Sequence, residues 1–247
     1  MQSDYRSCPT TLNPPSLNSF SMNRSLLHVL ILSVLFYSSS VGEIKNPDPV
    51  RFSASFKKFS DQDLAKKPKS PDLVLFTGSS SIRRWDTLQT DFPHLHLLNR
   101  GFGGAHISDV LYFYDDLFLR YKPTRVVFYC GENDLWSGKP VSQVMKDFLA
   151  LWAKIEKDLP QCSLIYLSCK PSPKRISKWN TYQALNLRIK NLCLRNSSLT
   201  YVDLSPTLLK PNFTFDPRQW DSDQLHVNQA GYQSWTHWLQ PLLAEKN

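Results

Sequence analysis

The chain has 247 residues, enough to bury the core of one α/β domain. It carries 29 Lys and Arg against 21 Asp and Glu, a net charge of +8. The cations are scattered, without a long basic run or a recognition motif, which argues against a nucleic-acid partner and leaves a solvated basic surface.

Residues 1–24 are polar and mixed, and residues 26–37 are mostly apolar, interrupted by His28 and Ser33. Arg24 precedes this run, and Ser38, Ser39, Ser40, Val41 and Gly42 follow it. That order predicts a leader and secretory signal over residues 1–42. The run is short for a membrane span. A type II signal anchor is the alternative, and Met22 would begin a signal of more ordinary length. Two acceptor sequons, Asn196-Ser197-Ser198 and Asn212-Phe213-Thr214, fit a secreted glycoprotein. Residues 43–70 read as a lead-in arm. Phe52, Phe56 and Phe59 have helical spacing and predict a short helix lying on the domain, whereas residues 43–50 read equally as linker.

From residue 71 to 247 the pattern alternates. Short apolar runs predict strands at 73–76, 95–98, 125–129, 163–167 and 199–204. Between them, apolar residues at helical spacing predict helices at 82–90, 107–121, 141–159, 181–194 and 228–244, the third stopped by Pro160. Such alternation predicts a flavodoxin-like, doubly wound, five-stranded parallel sheet with helices on both faces.

In that architecture chemistry collects where strands end. Strand one stops at Gly78-Ser79-Ser80-Ser81 and strand two at Asn99-Arg100-Gly101-Phe102-Gly103-Gly104. Strand three stops at Gly131-Glu132-Asn133-Asp134, and the loop after strand five carries Asp221, Asp223 and His226. A serine between a strand and a helix start can serve as nucleophile and oxyanion donor, and equally as an N-cap. Turn glycines, an Asn-Asp turn and a surface histidine would account for the other three singly. Four such stops on one sheet edge are harder to assign to turns alone.

Taken together these blocks resemble the SGNH hydrolase superfamily, the GDSL-type esterases and lipases. Gly78 to Ser81 stands where that family has Gly-Asp-Ser-Leu, so the resemblance makes Ser80 the nucleophile. Gly104 and Asn133 stand at the oxyanion-hole positions, and Asp223-Gln224-Leu225-His226 matches the closing Asp-x-x-His. The likeness runs from about residue 72 to the C-terminus and implies the SGNH hydrolase fold. Ser79 and Ser81 replace the usual aspartate and leucine. A branch with Gly-Ser-Ser-Ser-Ile-Arg followed by Trp is similar, and its members are lipase-like or acylhydrolases. The α/β-hydrolase elbow fits less well, because it needs glycine where Ile82 stands.

The resemblance implies a serine esterase that needs no cofactor. His226 would be the base and Asp223 its orienting acid, with Asp221 the rival. Glu132 and Asp134 have no His or Cys cluster beside them to make a metal site. The expected partner is a small or medium ester, with acetylated carbohydrate or lipid among the candidates; Phe102, Trp136, Trp179 and Trp220 are available to line its pocket or to pack. A non-catalytic glycan- or acyl-binding protein on the same scaffold is the alternative function.

Of five cysteines, Cys8 lies in the leader. Cys162 and Cys169 flank one predicted strand and lie about 23 Å apart, too far to pair. Cys162 and Cys193 return to the same edge and predict a disulfide, with four thiols the alternative. Cys130 and Cys169 are expected to stay free.

Overall fold

The structure, a computed structural model, describes residues 45–65, 68, 71–210, 212 and 214–244. The leader, Met22 and Cys8 lie outside the described residues. Five strands form one parallel sheet: β1 (Val74–Gly78), β2 (Leu97–Gly101), β3 (Arg125–Tyr129), β4 (Ser163–Leu167) and β5 (Leu199–Val202). Their order is β2-β1-β3-β4-β5, the flavodoxin-like winding that the alternation predicts.

Side chains of successive strand residues point to opposite faces, so a sheet covered on both sides must be apolar throughout. Leu75, Val126, Phe128, Leu164 and Tyr166 enter one buried cluster, and Val74, Phe76, Val127, Tyr129, Ile165 and Leu167 enter the other. The first cluster is covered by α1 (Ser53–Ala65), α4 (Ile107–Tyr112), α6 (Val141–Asp158) and α7 (Trp179–Cys193). The second is covered by α2 (Ser80–Arg83), α3 (Leu88–Asp91), α8 (Ser205–Leu208) and α9 (Gln229–Ala244), while α5 (Glu132–Trp136) follows β3. In α6, Val144, Phe148, Leu151, Trp152 and Ile155 are buried at spacings of three and four, one apolar stripe. Each such side chain removed from water contributes roughly 1.5–3 kcal/mol.

The phenylalanines ahead of the sheet belong to this core. Phe56 stacks on Phe113 at 3.7 Å, and Phe52 and Phe56 both make T-shaped contacts with Phe102. Asp63 pairs with Arg100 and accepts a hydrogen bond from Tyr121 (2.7 Å), tying α1 to β2.

Two predicted helices are interrupted. The 82–90 segment splits because Arg84 leaves helical geometry, and Asp91 then closes a separate turn by accepting from Trp85 Nε1 (2.6 Å) and Thr87 Oγ1 (2.7 Å). The 107–121 segment becomes α4 plus one π turn at Asp115–Leu119. The expected Cys162–Cys193 disulfide is corrected: Cys130, Cys162, Cys169 and Cys193 are all thiols. Cys162 turns its Sγ to the Ser163 carbonyl (3.6 Å), and burial pushes its pKa up to about 12. The two apolar clusters hold the domain without that crosslink.

Gly78 ends β1 at φ +117°, and a Cβ there would lie 2.1 Å from the Tyr129 carbonyl oxygen. Neither the backbone conformation nor β3 can accommodate a side chain. Gly78→Ala is therefore expected to lower unfolding stability by roughly 2–4 kcal/mol, read from urea denaturation. A loss within 0.5 kcal/mol, roughly the range of an innocuous surface substitution, would contradict this packing.

Candidate active site

The four polar stops lie at the carboxyl edge of the sheet. After Gly78, the Ser79 N–H donates to the Tyr129 carbonyl (2.8 Å), and the chain turns into α2 at Ser80. Ser80 is the first residue of that helix, so its N–H has no acceptor within the helix. After β2, the Phe102 N–H donates back to the Gly78 carbonyl (2.9 Å), and the chain passes through Gly103 and Gly104. Gly104 sits at φ +84°, and nothing lies within 4 Å of where its Cβ would be, so this backbone faces open space.

After β3, Asn133 lies in the first turn of α5. Its Nδ2 donates to the Ala105 carbonyl (3.1 Å), which ties it to the Gly104 loop. Its Oδ1 accepts from the Arg175 guanidinium (3.0 Å). These two contacts fix which end of the amide faces which neighbour.

The loop after β5 is closed by a bridge between Trp220 and Val227 and by a hydrogen bond from the Asp221 N–H to the His226 carbonyl (2.9 Å). Within it, Asp223 Oδ1 accepts from the backbone N–H groups of Leu225 and His226, each at 2.9 Å. The side chains then line up across 146 residues of sequence. His226 Nε2 is 2.7 Å from Ser80 Oγ, and His226 Nδ1 is 2.6 Å from Asp223 Oδ2. Asp221 does not touch the imidazole; its carboxylate accepts from Arg84 (2.8 Å). Arg84 also reaches Asp223 Oδ2 (2.9 Å) and lies 2.7 Å from His226 Nδ1.

Charge follows from these contacts. Burial works against ionised Asp223, but hydrogen bonds from the His226 and Leu225 backbone and the His226 ring outweigh it and hold the carboxyl well below its usual range. For His226, burial dominates and lowers the pKa; Lys170 and Arg84 lower it further, and Asp223 opposes them. The result is a mostly neutral imidazole near pH 7, able to accept a proton from a hydroxyl at Nε2.

Glu132 and Asp134 are occupied by protein cations. Glu132 is held by Tyr129, Lys170 (2.9 Å) and Arg175 (3.1 Å). Burial opposes its charge, but Lys170 and Arg175 outweigh that and keep its pKa low. Asp134 accepts from Lys139 (2.9 Å) and from the Ile107 N–H, which anchors the start of α4. Of the four aromatics, Phe102 and Trp220 are core residues, and Trp179 packs half-buried against the first cluster. Trp136 remains 43% exposed, with the Arg175 guanidinium 4.9 Å from its ring centre.

Sequence reasoning assigned no role to Arg84 or Arg175. Arg84 stands four residues after Ser80, so helical spacing puts both on one face, a signal of its place but not of its partners. Arg175 lies on the loop after β4, at the same sheet edge, without a motif to mark it.

Residues 69–234 match the GDSL-like lipase/acylhydrolase family, and the chain belongs to that family, within the SGNH hydrolase superfamily. The fold is similar to that of a GDSL-like lipase from Bacteroides thetaiotaomicron, at a TM-score of 0.67 and 20% identity, covering 77% of this chain and 98% of that one. It also matches an acetyl-xylooligosaccharide esterase from Geobacillus, at a TM-score of 0.58 and 15% identity, covering 73% and 97%. A member of the lipolytic G-D-S-L family from Veillonella parvula matches at 0.59 and 16%, covering 70% and 99%. None of the curated protein sequences matches this chain. Family membership supports an esterase-type, hydrolytic function.

Proposed function

We propose that this chain is a secreted serine esterase that hydrolyses carboxylic esters of modest size through an acyl-enzyme. The observation that carries this reading is the relay of contacts from Ser80 Oγ to His226 Nε2 (2.7 Å) and from His226 Nδ1 to Asp223 (2.6 Å). A serine hydroxyl attacks poorly until a base takes its proton. In this reading Ser80 Oγ bonds to the ester carbon as its proton passes to His226 Nε2, and the carbonyl oxygen becomes an oxyanion. The C–O bond to the alcohol then breaks, and the alcohol leaves with that proton. Water attacks the acyl-Ser80 ester, again losing a proton to His226. The acid departs and Ser80 regains its hydrogen. Asp223 holds the Nδ1–H tautomer and stabilises the imidazolium.

The oxyanion donors are the N–H groups of Ser80 and Gly104 and the Asn133 amide. Asn133 Nδ2 has two hydrogens, so the bond to Ala105 leaves one for the substrate. One such donor typically contributes about 3–4 kcal/mol to the transition state. Acetylated carbohydrate is the favoured substrate class, because a Geobacillus protein of this fold is named for acetyl-xylooligosaccharides and Trp136 offers exposed aromatic surface. Secretion rests on the n-region, apolar run and small residues of 1–42, and on the two sequons. N-terminal sequencing of protein recovered from the secretory pathway, with a glycosidase shift, tests that part.

A fluorophosphonate probe is expected to label the protein at Ser80. An unlabelled, folded protein would favour a binding scaffold instead. Hydrolysis of p-nitrophenyl esters of graded length, set beside acetylated sugars, defines the acyl group. kcat/KM is expected to rise with pH through an apparent pKa below the ordinary histidine value of about 6.5, because burial and nearby cations disfavour the imidazolium. A limb centred above pH 7 would contradict His226 as the base.

A further inference from the structure

Arg84 meets three groups of the Asp221–His226 loop at once. Its Nη1 lies 2.9 Å from Asp223 Oδ2 and 2.7 Å from His226 Nδ1, and its Nη2 donates to Asp221 Oδ2 (2.8 Å). Asp223 Oδ2 is itself 2.6 Å from the same Nδ1. A guanidinium only donates, so Nδ1 cannot satisfy both neighbours. If Nδ1 carries the proton, it donates to Asp223 and faces a cationic donor. If Nδ1 is bare, it accepts from Arg84, and the ring proton sits on Nε2 pointing at Ser80 Oγ. Only the first arrangement leaves Nε2 able to accept the serine proton.

We propose that Arg84 is a positioning residue that works against the hold of Asp223, weakening the Nδ1–H tautomer and the proton affinity of His226, with Asp221 tethering the guanidinium and offsetting its charge. The inference rests on the reading of Ser80, His226 and Asp223 as the reacting relay. The charged groups acting on His226 are Asp223 on its own loop, Arg84 at the end of α2, and Lys170 on the loop after β4, while Asp221 reaches it through Arg84. Arg84 is the one among them that contacts both members of the imidazole–carboxylate pair. Its side chain is about one-third exposed, so solvent and Asp221 screen it without cancelling it.

The test is a pH titration of the full chain with 15N-labelled histidine, His226→Gln assigning the signal. Arg84→Met is expected to raise the His226 pKa by roughly half to one unit and to move the neutral ring toward the Nδ1–H tautomer. The acid limb of kcat/KM should move with it. Arg84→Lys keeps the charge without the fork and should fall between. If Arg84→Met does not fold, Asp221→Asn carries the test, since removing the offsetting anion should lower the His226 pKa. An unmoved His226 pKa in the folded variant would overturn the proposal. The signal reports the imidazole without turnover, so it separates two failures. An active Ser80→Ala enzyme overturns the esterase relay, whereas an inactive Ser80→Ala beside an unmoved His226 pKa in Arg84→Met overturns only the role of Arg84.

Discussion

Ser80→Ala is expected to reduce ester hydrolysis by roughly four to six orders of magnitude while leaving the protein folded. The hydroxyl lies 2.7 Å from His226 Nε2, and a methyl group there can neither attack nor donate. Ser80 is half-buried at the start of α2, and alanine suits a helix start sterically, so the loss should appear in kcat and not in thermal stability. Ser79 and Ser81 provide the internal controls. Both are buried, Ser79 before the helix and Ser81 within it, and neither contacts His226 in the relay. Their alanine variants should keep substantial activity. An inactive Ser79→Ala beside an active Ser80→Ala would shift the nucleophile by one position.

Asp223→Asn is expected to be the second-largest effect, lowering kcat by about 10⁴-fold with little change in KM, by analogy with the same substitution in other serine hydrolase triads. The substituted amide could still accept the Leu225 and His226 N–H bonds through its oxygen, which keeps the loop closed. Its NH2 would then face Nδ1 as a donor, favouring the tautomer whose Nε2 proton blocks proton transfer from Ser80. Arg84 would add to that bias once the carboxylate charge is gone. Asp221→Asn should cost much less, because Asp221 touches Arg84 and not the imidazole. Steady-state kinetics at several pH values compare the two, and a larger defect in Asp221→Asn would transfer the orienting role.

Strand–helix alternation and the core faces were legible in the sequence from residue 73 onward because each depends on local periodicity, and the winding of the sheet followed from the right-handed crossovers that such alternation requires. Burial on both faces forces apolar strands, as in Val126, Val127 and Phe128, and one-sided burial forces the stripe of α6. Four strand ends with Ser, Gly, Asn and His were legible for the same reason: residues that follow parallel strands share one edge whatever their separation in sequence. The Asp-x-x-His spacing favours Asp223 over Asp221, and its Oδ1 turn onto the Leu225 and His226 N–H groups is the local geometry that makes a three-residue offset work.

What spacing cannot carry is the choice of partner across the fold. Arg84 reads locally as the end of a helix, and its role appears only because the loop after β5 folds back onto α2 across 137 to 142 residues. Glu132 and Asp134 look available in sequence, yet Lys170, Arg175 and Lys139 occupy them. Phe102 and Trp220 read as pocket candidates, but the packing of α1 and α9 takes them into the two cores. Cys162 lies in the first cluster and Cys193 packs against it, yet both remain thiols, because belonging to one cluster does not by itself meet the narrow geometry of a disulfide. Periodicity sets which face a residue takes, and only tertiary contact sets which charge it meets.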